Sequence, residues 1–119
     1  MAERLHFSRA RRLRQATEFT RVRKEGKSIR GELLTLAFLK DAERVPARAG
    51  FVTSRRVGDA VVRNRIRRRL REIVRKHQHQ LVNGSWIITI ALGRASGARF
   101  AELEGEWLRL AERASILAR

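Results

Sequence analysis

The chain has 119 residues, enough for one domain with a single core, and 43% of them are hydrophobic. Its 28 lysines and arginines against 12 acidic residues leave a net charge of +16, which strains a compact chain and calls for a polyanionic partner, nucleic acid or an anionic membrane surface. The lack of cysteine excludes disulfides, zinc sites and a thiol nucleophile; without a secretory signal or an apolar run near the ~20 residues of a membrane span, a cytoplasmic protein is expected.

The position of the charge is more informative than its total. Residues 1–40 carry eleven Lys/Arg against four Glu, and residues 61–80 carry eight against one, so each block holds +7 and the rest of the chain is nearly balanced. In chain order, residues 1–14 read as a basic arm with apolar anchors at Leu5, Phe7 and Leu13. QATEFTRVRKEG reads as a short helix, with Phe19 and Val22 on one face and Gly26 as its stop. A short strand fits 27–30. ELLTLAFLK is a strand with Leu34, Leu36 and Phe38 on one face and Leu33, Thr35, Ala37 and Leu39 on the other. A turn at Pro46 leads to a second strand near 48–54.

From 60 to 79 the periodicity turns helical. SWIITIAL, 85–92, has the composition of a strand buried on both faces. ASGARFAELEGEWLRLAERASIL closes the chain as a helix, with Phe100, Leu103, Trp107 and Leu110 on its apolar face. The order helix, two or three strands, helix, strand, helix points to an α+β sandwich, with helices on a mostly antiparallel sheet. There is no internal repeat or low-complexity linker, so residues 1–119 form a single domain.

The segment AVVRNRIRRRLRE, 60–72, places six arginines in thirteen positions. On a helix at 100° per residue, Val62, Ile66, Leu70, Ile73 and Val74 fall on one side. Asn64, Arg68, Arg71 and Arg75 run along the opposite side. Arg65, Arg69, Glu72 and Lys76 flank one edge of that stripe, and Arg63 and Arg67 the other. A merely solvated face mixes its signs, and this one does not. A membrane-surface helix does not fit either, because the apolar face is short, lacks Trp and Phe, and is needed by the core. Phosphate binding remains. Asn64 has two readings here: pairing with a base edge or ribose hydroxyl, or tying neighbouring arginines together.

No catalytic set emerges from the sequence. A nuclease needs a general acid and base, or clustered carboxylates for metal ions. Glu102, Glu104 and Glu106 alternate along a helix, where i, i+2 residues do not share a face, and His77 and His79 have the same spacing. His77 and His79 read as helix-end residues, His6 as part of the arm, and Trp86 and Trp107 as core. No metal site is expected on the protein.

FVTSRRVGDAVVRNRIRRRLRE, 51–72, closely resembles the signature of the bacterial ribonuclease P protein subunit: a strand ending in Ser-basic-basic-Val-Gly, then an Arg-Asn-Arg helix. RLRQATEFTRVRKEGKSIRG resembles the family's opening arm, first helix and Gly-basic turn, and the later elements occupy the expected places. The resemblance implies a single-domain αβββαβα sandwich, ribosomal-protein-S5-domain-2-like, with a left-handed crossover at the Arg-rich helix. It implies a protein that assists removal of the 5′ leader of precursor tRNA, with the hydrolysis performed by a catalytic RNA using Mg2+. The implied partners are that RNA, one protein per RNA, and the leader, with no membrane.

By position, the catalytic-RNA-facing set is Arg55, Arg56, Arg63, Asn64, Arg65, Arg67, Arg68 and Arg71. The leader-binding set, between the first helix and the sheet, is Phe19, Val22, Arg23, Thr35, Ala37, Val52 and Ser54. The chain departs from the family at Arg23 and Ala37, where many members have aromatics, and it has no tyrosine. Arg94 falls near the family's late Arg-Pro without matching it and receives no role. The residues alone leave two other classes open, a structural ribosomal-type RNA-binding protein and a non-specific nucleic-acid-coating protein. The Phe19/Val22 helix against a polar-lined strand separates them, since a protein that only coats backbone needs no second cleft.

Overall fold

The computed structural model describes residues 12–13, 15–40 and 46–117; the expected arm lies outside these apart from Arg12 and Leu13. The elements are α1 (Ala16–Glu25), β1 (Lys27–Arg30), β2 (Leu34–Lys40), β3 (Arg48–Val52), α2 (Ala60–His77), β4 (Ser85–Ala91) and α3 (Phe100–Arg113). This is the expected αβββαβα order. The four strands form one sheet in the order β1-β2-β4-β3. β1 pairs with β2 and β2 with β4 antiparallel, while β3 and β4 run parallel, because α2 carries the chain back between them.

The period of two in β2 decides what each face meets. Leu34 and Leu36 point into the main core with Ile87, Leu103 and Trp107, and Ala37 points the other way, into a smaller cluster with Leu13, Val22 and Ile88. Helices α2 and α3 cover the first face and α1 the second. Helix α2 docks through Ile66, Leu70, Ile73 and Val74, all without solvent exposure. Its start is set by Asp59, whose Oδ1 accepts from the Val62 amide at 3.0 Å. Helix α3 buries Leu103, Trp107, Leu110 and Ala111, and the Trp107 indole donates to Thr89 Oγ1 at 3.1 Å, which satisfies both groups inside the core.

Several boundaries differ from expectation. The closing helix begins at Phe100 rather than 95, because the Glu102 carboxylate accepts from the Arg99 amide at 2.9 Å and starts the helix there. Residues 93–97 form a 3-10 turn instead. Helix α2 ends at His77, and residues 78–80 tighten into a second 3-10 turn. Strand β3 ends at Val52 rather than 54. Gly26 does stop α1, but in extended backbone, with φ −92°. Glycine is needed for space: a Cβ there would lie 2.2 Å from the Phe38 carbonyl oxygen. Trp86, expected in the core, is only half-buried, under the guanidiniums of Arg21 at 4.9 Å and Arg48 at 5.3 Å. It lies on the α1 side, where a ten-residue polar helix cannot seal a large ring.

The three alternating glutamates of α3 have separate structural roles, as their spacing requires. Glu102 caps the helix. Glu104 joins α3 to α2, accepting from Lys76 Nζ at 2.8 Å with His77 Nε2 at 3.1 Å, while the His77 ring stacks on Trp107. Glu106 is buried and accepts from three consecutive amides, Glu32, Leu33 and Leu34, at 3.1, 2.8 and 2.6 Å. That set of bonds fixes the β1–β2 turn to α3 and satisfies a buried charge.

Two outcomes check this packing. Leu70→Ala should cost ~2–5 kcal/mol in urea melts, since a fully buried leucine leaves a cavity that its neighbours only partly close; a loss below ~1 kcal/mol would mean α2 is not docked as described. The Lys76 hydrogen bond, then His77, hold the Glu104 carboxyl below its usual range. A depressed folded pKa contributes stability above the unfolded value near ~4.5 and loses it as pH falls through the folded value. The stability gap between the natural chain and Glu104→Gln should therefore narrow as pH falls below about 4.5 in a pH series of melts.

Candidate nucleic-acid interface

The first surface is the outer side of α2. With the apolar stripe buried, Asn64, Arg65, Arg68 and Arg71 are exposed, and Arg63 and Arg67 are half-buried on one edge. Arg55 and Arg56 are exposed in the turn before the helix. The six α2 members of the sequence-derived set therefore lie on the solvent side or the edges of that helix, with Arg55 and Arg56 in the turn that leads into it. The two edges are anchored differently. Arg65 and Arg69 donate to the carbonyls of Ser96 and Ala98, at 3.3 and 3.0 Å, tying that edge to the 93–98 segment. Arg67 donates to Thr53 Oγ1 at 2.9 Å and to Asn64 Oδ1 at 3.1 Å. Of the two readings of Asn64, tying an arginine is the one this geometry displays.

Burial, then the neighbouring Arg12 and Arg67 guanidiniums, push the Arg71 guanidinium below its ordinary range. Like charges are thus crowded around a cavity of about 190 Å³ bordered by Arg12, Phe19, Gly50, Arg67 and Arg71. Arg12 was missed in the sequence because the arm gives no period from which to place it. It comes here because Arg12 bridges to Ala49 on the outer edge of β3, where the Leu13 amide donates to the Ala49 carbonyl at 2.8 Å.

The second surface is the α1 face of the sheet. The strand register lays out cross-strand rows there: Arg30, Thr35, Ile90 and Val52 in one, Ser28, Ala37, Ile88 and Gly50 in the next, and Leu39, Trp86 and Arg48 in a third. Helix α1 sits on the middle row. Phe19 packs on Gly50, where a Cβ would lie 2.6 Å from its ring, and Val22 packs with Ala37 and Ile88. Glu18 pairs with Arg48, and Arg21 with Glu25 at 3.2 Å, closing the Trp86 side. The row through Thr35, Ile90 and Val52 stays half-exposed.

Of the sequence-derived leader set, Thr35 and Val52 are in the open row, Ser54 is exposed just past it, and Arg23 is exposed one turn along α1 from Phe19. Val22 and Ala37 are 1% and 4% exposed, so they hold the helix on the sheet and offer almost no surface to a ligand. Ile90 belongs to the open row and was missed. Continuing the alternation through Trp86 and Ile88 would have found it. Among the described residues no group of three or more His, Cys, Asp or Glu could hold a metal ion.

Fold and surfaces together define a small nucleic-acid-binding α+β protein with an arginine-walled helix on one side of its sheet and a half-exposed strand row on the other. The family model described as Ribonuclease P matches residues 7–115. The chain is 38% identical over 109 residues to the ribonuclease P protein component of Gluconacetobacter diazotrophicus, covering 91% of this chain and 94% of that one. It is 42% identical over 100 residues to that of Acidothermus cellulolyticus, covering 83% of each. The fold matches the ribonuclease P protein of Staphylococcus aureus with a TM-score of 0.85 at 25% identity, covering 92% and 99% of the two chains. That of Thermotoga maritima matches with a TM-score of 0.77 at 31% identity, covering 86% and 96%. The chain belongs to the ribonuclease P protein family.

The α2 surface predicts a salt-dependent interface. If about five or six phosphates are neutralised, log K for the catalytic RNA against log salt should slope near −4 to −5, and Arg68→Ala/Arg71→Ala should flatten it by about 1–2. Neither side chain enters the core, and removing Arg71 relieves repulsion, so melting should not fall. An unchanged slope would put the RNA interface elsewhere.

Proposed function

We infer that the chain acts as the protein subunit of ribonuclease P, the endoribonuclease that matures the 5′ end of tRNA, and that its two surfaces divide the work. The α2 surface binds the catalytic RNA subunit, one protein per RNA, in the cytoplasm. The open row beside α1 binds the 5′ leader of precursor tRNA. The observation that carries this reading is the placement of the two surfaces on opposite faces of one thin sheet. A protein that only coated backbone would have no use for the second. The basic α2 face fits a folded RNA, and a half-exposed row of strand residues beside α1 fits a single strand.

The chemistry is assigned to the RNA. The three glutamates closest in sequence, Glu102, Glu104 and Glu106, are each engaged in a cap, an ion pair or three amide bonds, and they do not fit a Mg2+ site. Divalent ions for hydrolysis would be held by RNA phosphates. The protein's part is to position the leader and to screen phosphate repulsion, so it should raise cleavage most at low magnesium.

Leader recognition in this chain should lean on charge. Stacking contributes ~1–3 kcal/mol per base where an aromatic is available, and here the two positions where the family resemblance implies aromatics hold Arg23 and Ala37. Phe19 is the ring beside the groove. The test is holoenzyme affinity for precursors with leaders from none to about eight nucleotides. Affinity should rise with leader length and fall steeply with salt. Phe19→Ala should shrink the gain while leaving catalytic-RNA affinity nearly unchanged. Equal affinity across the series would remove the leader role and favour a structural RNA-binding protein.

A further inference from the structure

The open row runs from one edge of the sheet to the other. It crosses β3, β4 and β2 and finishes on β1 at Arg30, which is exposed on the free edge of the sheet. Three interstrand steps make that path roughly 14 Å long, so a leader of more than a few nucleotides runs past its end. Immediately past Arg30 the chain turns, and the Glu106 carboxylate holds the turn by its three amides.

A cavity opens on each side of this turn, and Arg30 borders both. The larger, about 590 Å³, also has Glu32, Arg109 and Arg113 on its walls. The smaller, about 390 Å³, has Glu32 and Arg94. Arg30, Arg94, Arg109 and Arg113 are all exposed, and among the described residues none has a carboxylate partner. Glu106 already spends its oxygens on amides, leaving Glu32 as the one acidic side chain there with a free face. Arg109 and Arg113 are four residues apart on α3 and so present neighbouring cations along one line. Neither cavity has an aromatic wall, so the chemistry suits phosphate and not bases.

We propose that this rim continues the leader track: a leader longer than the open row passes Arg30, turns over the β1 edge and lays its next phosphates against Arg109 and Arg113. The proposal rests on the leader reading of the α1 face. It assigns a role to α3 arginines that lie outside both sequence-derived sets. Because contact is to backbone alone, the extra affinity should be indifferent to leader sequence and sensitive to salt.

The test compares holoenzyme binding to precursors with no leader, with leaders of about 4 nucleotides and with leaders of about 16. The natural chain should bind the long leader more tightly than the short one, with a steeper salt dependence. Arg109→Gln/Arg113→Gln should reduce long-leader affinity to the short-leader level and flatten its salt slope by about 1.4, the value for two single-strand phosphates. Short-leader affinity and melting should stay as they are. Glu32→Gln, which removes the opposing charge, should strengthen long-leader binding. No further gain beyond the short leader, or a gain that survives the double substitution, overturns the rim. So does a loss of catalytic-RNA affinity in the double variant with no precursor present, which would assign these arginines to that RNA. Failure of the natural chain to distinguish the short leader from none overturns instead the cleft on which the proposal rests.

Discussion

The docking of α2 on the sheet is the constraint from which the rest follows. Ile66, Leu70, Ile73 and Val74 are completely buried, and each contributes roughly 1.5–3 kcal/mol on leaving water. Neighbouring arginines on the same helix repel by only a few tenths of a kcal/mol per i, i+4 pair. Burial therefore wins, and it fixes the rotation of the helix so that the arginines face outward. The protein does not select an orientation for binding RNA separately from folding. The core side chains make that choice, and Arg65, Arg67 and Arg69 then brace the edges against Ser96, Thr53 and Ala98.

The parts of this structure that were legible in the sequence are those with a period. The apolar stripe of α2 and the two faces of β2 each repeat at the spacing of their element, and each was read with the correct face. β4, an apolar run, was placed as a strand but read as buried on both faces, whereas Trp86 and Ile90 are half-buried on the α1 side. Boundaries were less legible, because they depend on single bonds: the start of α3 is set by one carboxylate meeting one amide. Contacts between distant segments were not legible at all. Nothing local indicates that Arg12 reaches Arg67 and Arg71, or that Glu106 clasps a turn more than seventy residues earlier. Trp86 shows the same limit, since its strand pattern suits a buried ring while the shortness of the helix above it leaves the ring to two guanidiniums.

The acidic residues explain how so basic a chain holds a defined shape. Five of the described carboxylates are used at joints: Asp59 and Glu102 at helix starts, Glu18 between α1 and β3, Glu104 between the two long helices, Glu106 at the turn. The positive excess is consequently left on the outside, where it is available to phosphate. A uniform scatter of those same five carboxylates would weaken the binding surfaces and stabilise nothing in particular.

The two free edges of the sheet have a consequence for the protein before it meets RNA. An edge strand with open amides and carbonyls is a template for pairing with another copy, and aggregation starts there. The β3 edge is covered by its own chain, through Arg12 and Leu13. The β1 edge is short and carries Lys27 and Arg30, so a second β1 approaching it brings like charge against like charge. Newly made copies are thus kept apart by the charge of the edge itself. The bare protein therefore carries at this edge its own means of staying dispersed, which a neutral substitution of Lys27 and Arg30 would remove without touching the core.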